Sequence, residues 1–301
     1  MGERGKNSDD PFFNGFIPGA HRGAPRHFPE NTIEAFRRAL EILPRAMIET
    51  DVRVTADGAV VVFHDADLER VTGERGPVAG TTLPSIRTLD AGYGITFDGG
   101  STFPFRGGGC RIPLLDEALG LFPSTRFSID IKDDDRDAAA RVLAVIDRAG
   151  AADRVIIGSF HDRIIRFLMG SAPAQRRSCS KNEILRFITL QRIGAACMAR
   201  PRGRALFIPE FAGGGVWEQG EVTTPGFRVV TQRLMRDAHR RGLPVVVWTI
   251  NHRDNMERLI DWGVDGIVTD HIDLLAEVMA EKGLITPGVP PAGTGSKFID
   301  R

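Results

Sequence analysis

The sequence predicts an α/β protein built as a (β/α)₈ barrel, with a small insertion between the second strand and its helix. Three observations carry this expectation. Short apolar runs alternate with amphipathic stretches through the whole middle of the chain, which is the pattern of a parallel sheet and its crossover helices. There are eight of each, and several of the amphipathic stretches stop at a glycine, as helix C-termini do: Gly150, Gly170, Gly194, Gly242, Gly263 and Gly283. Finally, 301 residues suit a single barrel, whose usual size is ~250 residues, with modest additions.

The expected strands are 16–20, 46–54, 126–131, 154–158, 174–178, 205–209, 243–248 and 266–269. A further apolar piece at 60–63 extends the second unit as a hairpin. The first helix opens at Asn31-Thr32-Ile33-Glu34, a capping-box arrangement followed by Ala35, Phe36, Ala39 and Leu40 at helical spacing. The other helices are expected at 115–122, 134–149, 162–169, 181–193, 232–241, 253–262 and 272–282. Residues 65–112 are too many for an ordinary loop and form the insertion. Residues 1–14 read as an N-terminal tail and 285–301 as a disordered C-terminal tail, the latter rich in proline and glycine from Pro287 onward. The barrel domain is therefore 15–284.

Composition excludes several classes. The formal net charge is zero, which argues against a protein that coats nucleic acid or anionic lipid. Three cysteines, Cys110, Cys179 and Cys197, contain no CxxC pair and suggest neither a disulfide framework nor a zinc site. No apolar run approaches ~18 residues, so no membrane anchor is expected and the location is read as cytoplasmic. Nothing in the sequence sets an oligomeric state. Gly92-Tyr93-Gly94 and Gly107-Gly108-Gly109 lack the strand–loop–helix context of a phosphate cradle and read as turns.

Chemistry concentrates at the ends of the early strands. Residues two apart in a strand share a face. In 47–54, Ile48, Val52 and Val54 share one face, while Glu49, Asp51 and Arg53 share the other. The apolar face meets the helices, so the two carboxylates point into the barrel, where they require a bound cation or basic partners. The third strand repeats the pattern: Ser128, Asp130 and Lys132 share the inner face. Three carboxylates together make an oxygen site for a hard cation, Mg²⁺ or Ca²⁺. A salt-bridge network through Arg53 and Lys132 fits the same spacing. His21 and His64 each follow an apolar run, where a barrel places catalytic groups. Two imidazoles could share the proton transfers of phosphodiester cleavage. Arg22 offers a planar fork to phosphate oxygens, and Gly23 lets backbone approach a ligand.

These residues, in this order, resemble the glycerophosphodiester phosphodiesterase family. The resemblance rests on His21-Arg22-Gly23, Pro29-Glu30-Asn31-Thr32, Glu49-Thr50-Asp51-Val52, His64-Asp65, Ile129-Asp130-Ile131-Lys132, Val247-Trp248-Thr249-Ile250-Asn251 and 263–270, and spans roughly residues 20–275. It implies a TIM barrel and metal-dependent hydrolysis of glycerophosphodiesters to sn-glycerol 3-phosphate and an alcohol. By resemblance, His21 and His64 are the acid–base pair. Glu49, Asp51 and Asp130 hold one divalent ion, Mg²⁺ or Ca²⁺. Arg22 and Lys132 contact the phosphate, and Trp248 lines the substrate pocket. The family commonly has glutamate where this chain has Asp130, one methylene shorter, so the third ligand is where the resemblance departs. Whether water or a glycerol hydroxyl attacks first, the latter through a cyclic phosphate, is open. Two alternatives stand beside the first reading. One is a lysophospholipase D using Phe97, Phe103 and Phe105 as an apolar rim; the other is a phosphate-ligand binding barrel without catalysis.

Overall fold

The structure of the protein is a computed structural model describing residues 10–213, 217–218, 221–222 and 226–285. Its main sheet is parallel, apart from one antiparallel strand. The barrel strands are β1 (Ile17–His21), β2 (Met47–Val54), β4 (Phe127–Ile131), β5 (Val155–Gly158), β6 (Leu206–Pro209), β11 (Val245–Trp248) and β12 (Gly266–Thr269). They follow one another around the wall in the order β5-β4-β2-β1-β12-β11-β6. The first and last strands are thus neighbours, with Ala20 beside Thr269. β3 (Val60–Val62) returns antiparallel along β2, as the extra apolar piece implied. Helices α1 (Ile33–Ile42), α4 (Leu115–Leu121), α5 (Arg136–Arg148), α6 (Asp162–Ser171), α7 (Lys181–Arg192), α8 (Gln232–His239), α9 (Arg253–Asp261) and α10 (Ile272–Glu281) follow at the expected places. Beyond β6, the short strands β7 (Phe211–Ala212) and β10 (Phe227–Arg228) pair, as do β8 (Trp217–Glu218) and β9 (Glu221–Val222).

The expected fifth strand, 174–178, is corrected. It forms one parallel bridge, Ile157 to Arg177, rather than a ladder. The segment still closes the wall. Ile157 N–H donates to the Arg176 carbonyl and Ser178 N–H to that of Ile157, while Arg204 N–H donates to the Arg177 carbonyl and Cys179 N–H to that of Ala205. Gln175, Arg176 and Arg177 give this segment no apolar face for the helices, so little beyond backbone bonding holds it as a strand.

The expected tail 1–14 is corrected in its last part. Residues 1–9 and 286–301 lie outside the described residues, and with them nearly all of the expected C-terminal tail. Pro11–Phe13 form a 3₁₀ turn capped by Asp10. Phe12 and Phe13 are buried with Ile17, Met47, Ile156, Val246 and Val268, which fill the lower interior of the barrel. Arg176 Nε donates to both Asp10 oxygens at 2.8 and 2.7 Å, tying this plug to the weak fifth position. The two adjacent phenylalanines, Phe12-Phe13, are the signal in the sequence for a packed segment.

Outside the strands, Ile48, Val52, Phe127, Ile129 and Ile131 pack against the helices. Phe36 of α1 is fully buried, edge-on to Phe122 and Phe127 with ring centroids 6.2 Å away in each case. Phe36→Ala is expected to cost about 3–5 kcal/mol through the cavity it leaves; a shifted urea midpoint with an unchanged slope would show it.

After β3 the chain leaves the barrel. Two single-turn helices, α2 (Glu69–Thr72) and α3 (Leu83–Ile86), gather with Val61, Phe63, Leu68, Val71, Val78, Ile86, Ala91 and Ile112 into a separate small core. A Cβ on Gly94 would meet the Arg70 carbonyl oxygen, so the chain packs on α2 at a distance only glycine allows. No helix among the described residues is long and apolar enough to cross a membrane.

Candidate active site

His21 is the last residue of β1, and Arg22 and Gly23 turn away from it with positive φ of 52° and 92°. The turn is anchored from the neighbouring strand, where the Glu49 carbonyl accepts from Arg22 N–H at 2.8 Å. His21 Nδ1 lies 2.6 Å from Asp270 Oδ1, just past β12. Asp270 is in turn fixed by Asn251, whose Nδ2 donates to Oδ2 at 2.8 Å and whose Oδ1 accepts from Asp270 N–H at 3.0 Å. Burial pushes the Asp270 carboxyl up, but the His21 and Asn251 hydrogen bonds outweigh it and hold it at about 2. An ionised carboxylate only accepts, so Nδ1 of His21 carries the proton and Nε2 is the nitrogen available to a substrate. Burial lowers the His21 pKa, and Asp270 and Glu49 more than reverse this, leaving it above the ordinary histidine value.

The inner wall follows the spacing. Glu49 pairs in register with Ser128, and Asp51 with Asp130. Asp51 is 1% exposed. Its Oδ1 is 2.9 Å from Lys132 Nζ, its Oδ2 is 3.3 Å from Arg22 Nε, and Asn31 Nδ2 donates to Oδ2 at 3.1 Å. Burial raises the Asp51 pKa, but Arg22 and Lys132 hold it well below the ordinary range. Lys132 Nζ also donates to Asp130 Oδ2 at 2.7 Å. Among the described residues, Glu49 has no Lys or Arg side chain in ion-pair contact; His21 Nε2 is 3.9 Å away. Burial and the Asp51 charge push the Glu49 carboxyl up to about 7. Arg53, the other candidate partner for the carboxylates, instead donates to Asp133 Oδ1 and the His64 carbonyl. Among the described residues, no group of three or more His, Cys, Asp or Glu side chains is gathered as a metal cage. Lys132 stands between Asp51 and Asp130, where the sequence reading placed a metal.

His64 follows β3, with its Nδ1 2.6 Å from Asp65 Oδ1. Both histidines therefore present an aspartate-anchored ring. Trp248, at the end of β11, meets Phe160 edge-on at 5.8 Å, and Phe160 is 58% exposed. Lys132 Nζ sits 5.5 Å from the Phe160 ring centroid. Arg22 Nη1 donates to Glu30 Oε1 at 2.9 Å, while its buried Nε finds no aligned acceptor among the described residues.

The glycerophosphoryl diester phosphodiesterase family model matches residues 21–274. The chain belongs to the glycerophosphoryl diester phosphodiesterase family. It is accordingly a phosphoric diester hydrolase. It is 31% identical over 277 residues to a probable glycerophosphodiester phosphodiesterase 2 of Mycobacterium tuberculosis, covering 89% of this chain and 92% of that one. It is also 31% identical over 269 residues to a glycerophosphodiester phosphodiesterase of Caldanaerobacter subterraneus subsp. tengcongensis, covering 88% and 98%. Among solved structures, a glycerophosphodiester phosphodiesterase from Agrobacterium tumefaciens superposes with a TM-score of 0.66 at 26% identity, covering 87% of this chain and 99% of that one. The fold is also that of an Oleispira antarctica phosphodiesterase solved with the product sn-glycerol-3-phosphate, at a TM-score of 0.67 and 20% identity, covering 87% and 96%.

Within this phosphodiesterase the sequence reading missed four groups. Asn31 was taken as the helix cap, but Thr32 caps α1 by accepting from Ala35 N–H at 3.2 Å. Asn31 holds Asp51 instead, and Thr50 Oγ1 donates to its Oδ1 at 2.7 Å. Asp270 could have been found: it follows the last strand, which a closed barrel places beside the first. Asn251 was quoted for resemblance but given no task. Arg70 carries no spacing signal at all.

Proposed function

We propose that this phosphodiesterase hydrolyses glycerophosphodiesters to sn-glycerol 3-phosphate and an alcohol, with His21 and His64 as the acid–base pair. The observation that carries this is the matched anchoring of the two rings, each Nδ1 held 2.6 Å from an aspartate oxygen. One imidazole would take the proton from the attacking oxygen, and the other would give one to the leaving oxygen. Arg22 and Lys132 would face the phosphate and stabilise charge as the ester bond breaks. Trp248 would line the pocket beside Phe160.

The acidic wall fits one divalent cation, Mg²⁺ or Ca²⁺, by the chemistry of its donors. Glu49 is a buried carboxylate whose ionised form is disfavoured beside Asp51, and a cation would relieve this. Glu49, Asp51 and Asp130 would hold it, with Lys132 released from between the two aspartates. When bound it supplies further neutralisation of the phosphate charge.

A coupled sn-glycerol 3-phosphate assay on glycerophosphocholine, with and without chelator, tests the reading. Turnover that is lost on chelation and restored by one ion is the expected result; no release of glycerol 3-phosphate from any diester would end it. A second reading, lysophospholipase D, is favoured by Tyr93 and Phe97 of the insertion, 41% and 40% exposed. Phe105, however, packs between Phe28, in the connection after β1, and Phe97 of the insertion at 5.7 and 5.9 Å, so its ring is taken up by packing between the insertion and the barrel. Lysophosphatidylcholine is therefore expected to turn over more slowly than glycerophosphocholine, and a strong preference for the lipid would reverse the order.

A further inference from the structure

The insertion contributes a side chain, Arg70, that links both halves of the site through two carboxylates. Arg70 lies on α2, and its guanidinium divides between two carboxylates. Its Nε donates to Asp65 Oδ2 at 2.5 Å. Its Nη1 and Nη2 donate to Glu30 Oε2 and Oε1 at 3.1 and 2.6 Å. Each carboxylate uses its remaining capacity on a residue assigned to the chemistry. Asp65 Oδ1 receives His64 Nδ1 at 2.6 Å, and Glu30 Oε1 receives Arg22 Nη1 at 2.9 Å. The result is an unbroken chain from His64 through Asp65, Arg70 and Glu30 to Arg22, with Arg22 Nε 3.3 Å from Asp51.

The chemistry of the node requires arginine. Three nitrogens in one plane serve one carboxylate end-on through Nη1 and Nη2 and a second from Nε, a division no other side chain offers. Burial raises the pKa values of both Glu30 and Asp65. Arg22 and Arg70 hold the first below its ordinary value, and His64 and Arg70 hold the second below its own, so both stay acceptors. Arg70 itself is fixed from behind. Leu68 and Val71 on either side are buried in the insertion core, and Gly94 N–H donates to the Val71 carbonyl at 2.8 Å. The Arg70 side chain is 49% exposed, so its worth lies in geometry more than in charge.

We propose that Arg70 is a positioning residue through which the insertion sets the His64 ring and the Arg22 guanidinium together. This rests on the reading of His64 as a proton-transfer group and Arg22 as a phosphate-binding group. In the geometry, removing Arg70 frees Asp65 to rotate, so that His64 loses its fixed ring orientation, and lets Glu30 swing with Arg22.

The test uses the full chain and glycerophosphocholine, with kcat and KM measured for R70Q, D65N, E30Q, H64A and the R70Q/H64A double variant. R70Q is expected to lower kcat ~10²-fold, the loss that follows from misplacing a catalytic group by about 1 Å. D65N breaks only the His64 arm and should lower kcat with KM within ~2-fold, whereas E30Q breaks only the Arg22 arm and should raise KM. In the H64A background, R70Q should cost less than ~3-fold further in kcat, because coupled residues are not additive. A merely structural Arg70 would lower the unfolding midpoint without this split and would add its full effect to H64A. R70Q with kcat within ~2-fold of wild type, or an undiminished loss in the H64A background, overturns the proposal. Should R70Q fail to fold, R70K, which keeps the charge but not the planar fork, is measured in its place alone and in the H64A background, with the same outcomes for and against. H64A with wild-type kcat refutes the underlying reading and the proposal with it; a crippled H64A beside a silent R70Q refutes the proposal alone.

Discussion

His21→Ala is expected to lower kcat on glycerophosphocholine by ~10²–10⁴-fold, and His64→Ala by a similar factor, the usual worth of one general acid or base. The two losses should not multiply in full in the double variant, since residues acting on one transition state are non-additive. Each imidazole has its Nδ1 committed to an aspartate, so on the proposed mechanism the group missing from either variant is the Nε2 that would move a proton. The pair can be separated by the leaving group. A p-nitrophenyl diester needs little protonation of its departing oxygen, so it should rescue the variant lacking the acid and leave the one lacking the base impaired. Neither change empties the core, because both side chains stand at strand ends near the mouth; circular dichroism and the urea midpoint should stay close to wild type. Turnover that survives both substitutions would remove the histidines from the chemistry.

How much of this could be read in advance follows from how far each signal reaches along the chain. The alternation in β2 needed only neighbours: Ile48 and Val52 are in the outer core while Glu49 and Asp51 face inward, as two-residue periodicity requires. The same local rule placed Asp130 and Lys132. It did not tell a cation site from a salt bridge, and in the folded chain Lys132 contacts both aspartates. The partners of the histidines lay beyond local rules. His21 and Asp270 are 249 residues apart, and they meet because the last strand pairs with the first. Arg70 and Glu30 are 40 residues apart and meet only because the insertion folds back over the turn after β1. The fifth strand failed for the opposite reason: 174–178 has a strand's position but a polar composition, and position prevailed only as far as one bridge. Asn31 was misread because a left-handed φ of 58° moves the cap one residue on, to Thr32, and frees its amide for Asp51.

The affinity for a divalent cation is expected to fall as pH drops through about 7, and the reason is Glu49. Only an ionised carboxylate ligates, and Glu49 is pushed up to about 7 by burial and by Asp51. Below that pH the cation must displace a proton, so affinity should weaken by ~tenfold per pH unit. Asp51 adds nothing to this slope, because Arg22 and Lys132 keep it ionised throughout. The same group shapes the stability of the metal-free protein. A carboxyl raised in the folded state contributes stability below its unfolded pKa, near 4.5, and loses it as pH rises through about 7. His21 acts in the same direction, since its proton is held more tightly in the folded chain and is released as pH climbs. The chelated protein should therefore melt lower at pH 8 than at pH 5.5, and Mg²⁺ or Ca²⁺ should raise Tm more at pH 8 than at 5.5. Calorimetry at pH 6 in two buffers of different ionisation enthalpy should register close to one proton released per ion bound. Glu49→Gln removes both the proton release and the pH dependence of Tm attributed to this carboxyl, while Asp130→Asn, which leaves Glu49 and Asp51 in place, should keep them and weaken the ion uniformly with pH. An ion that binds equally well at pH 5.5 and 8 would place it away from Glu49.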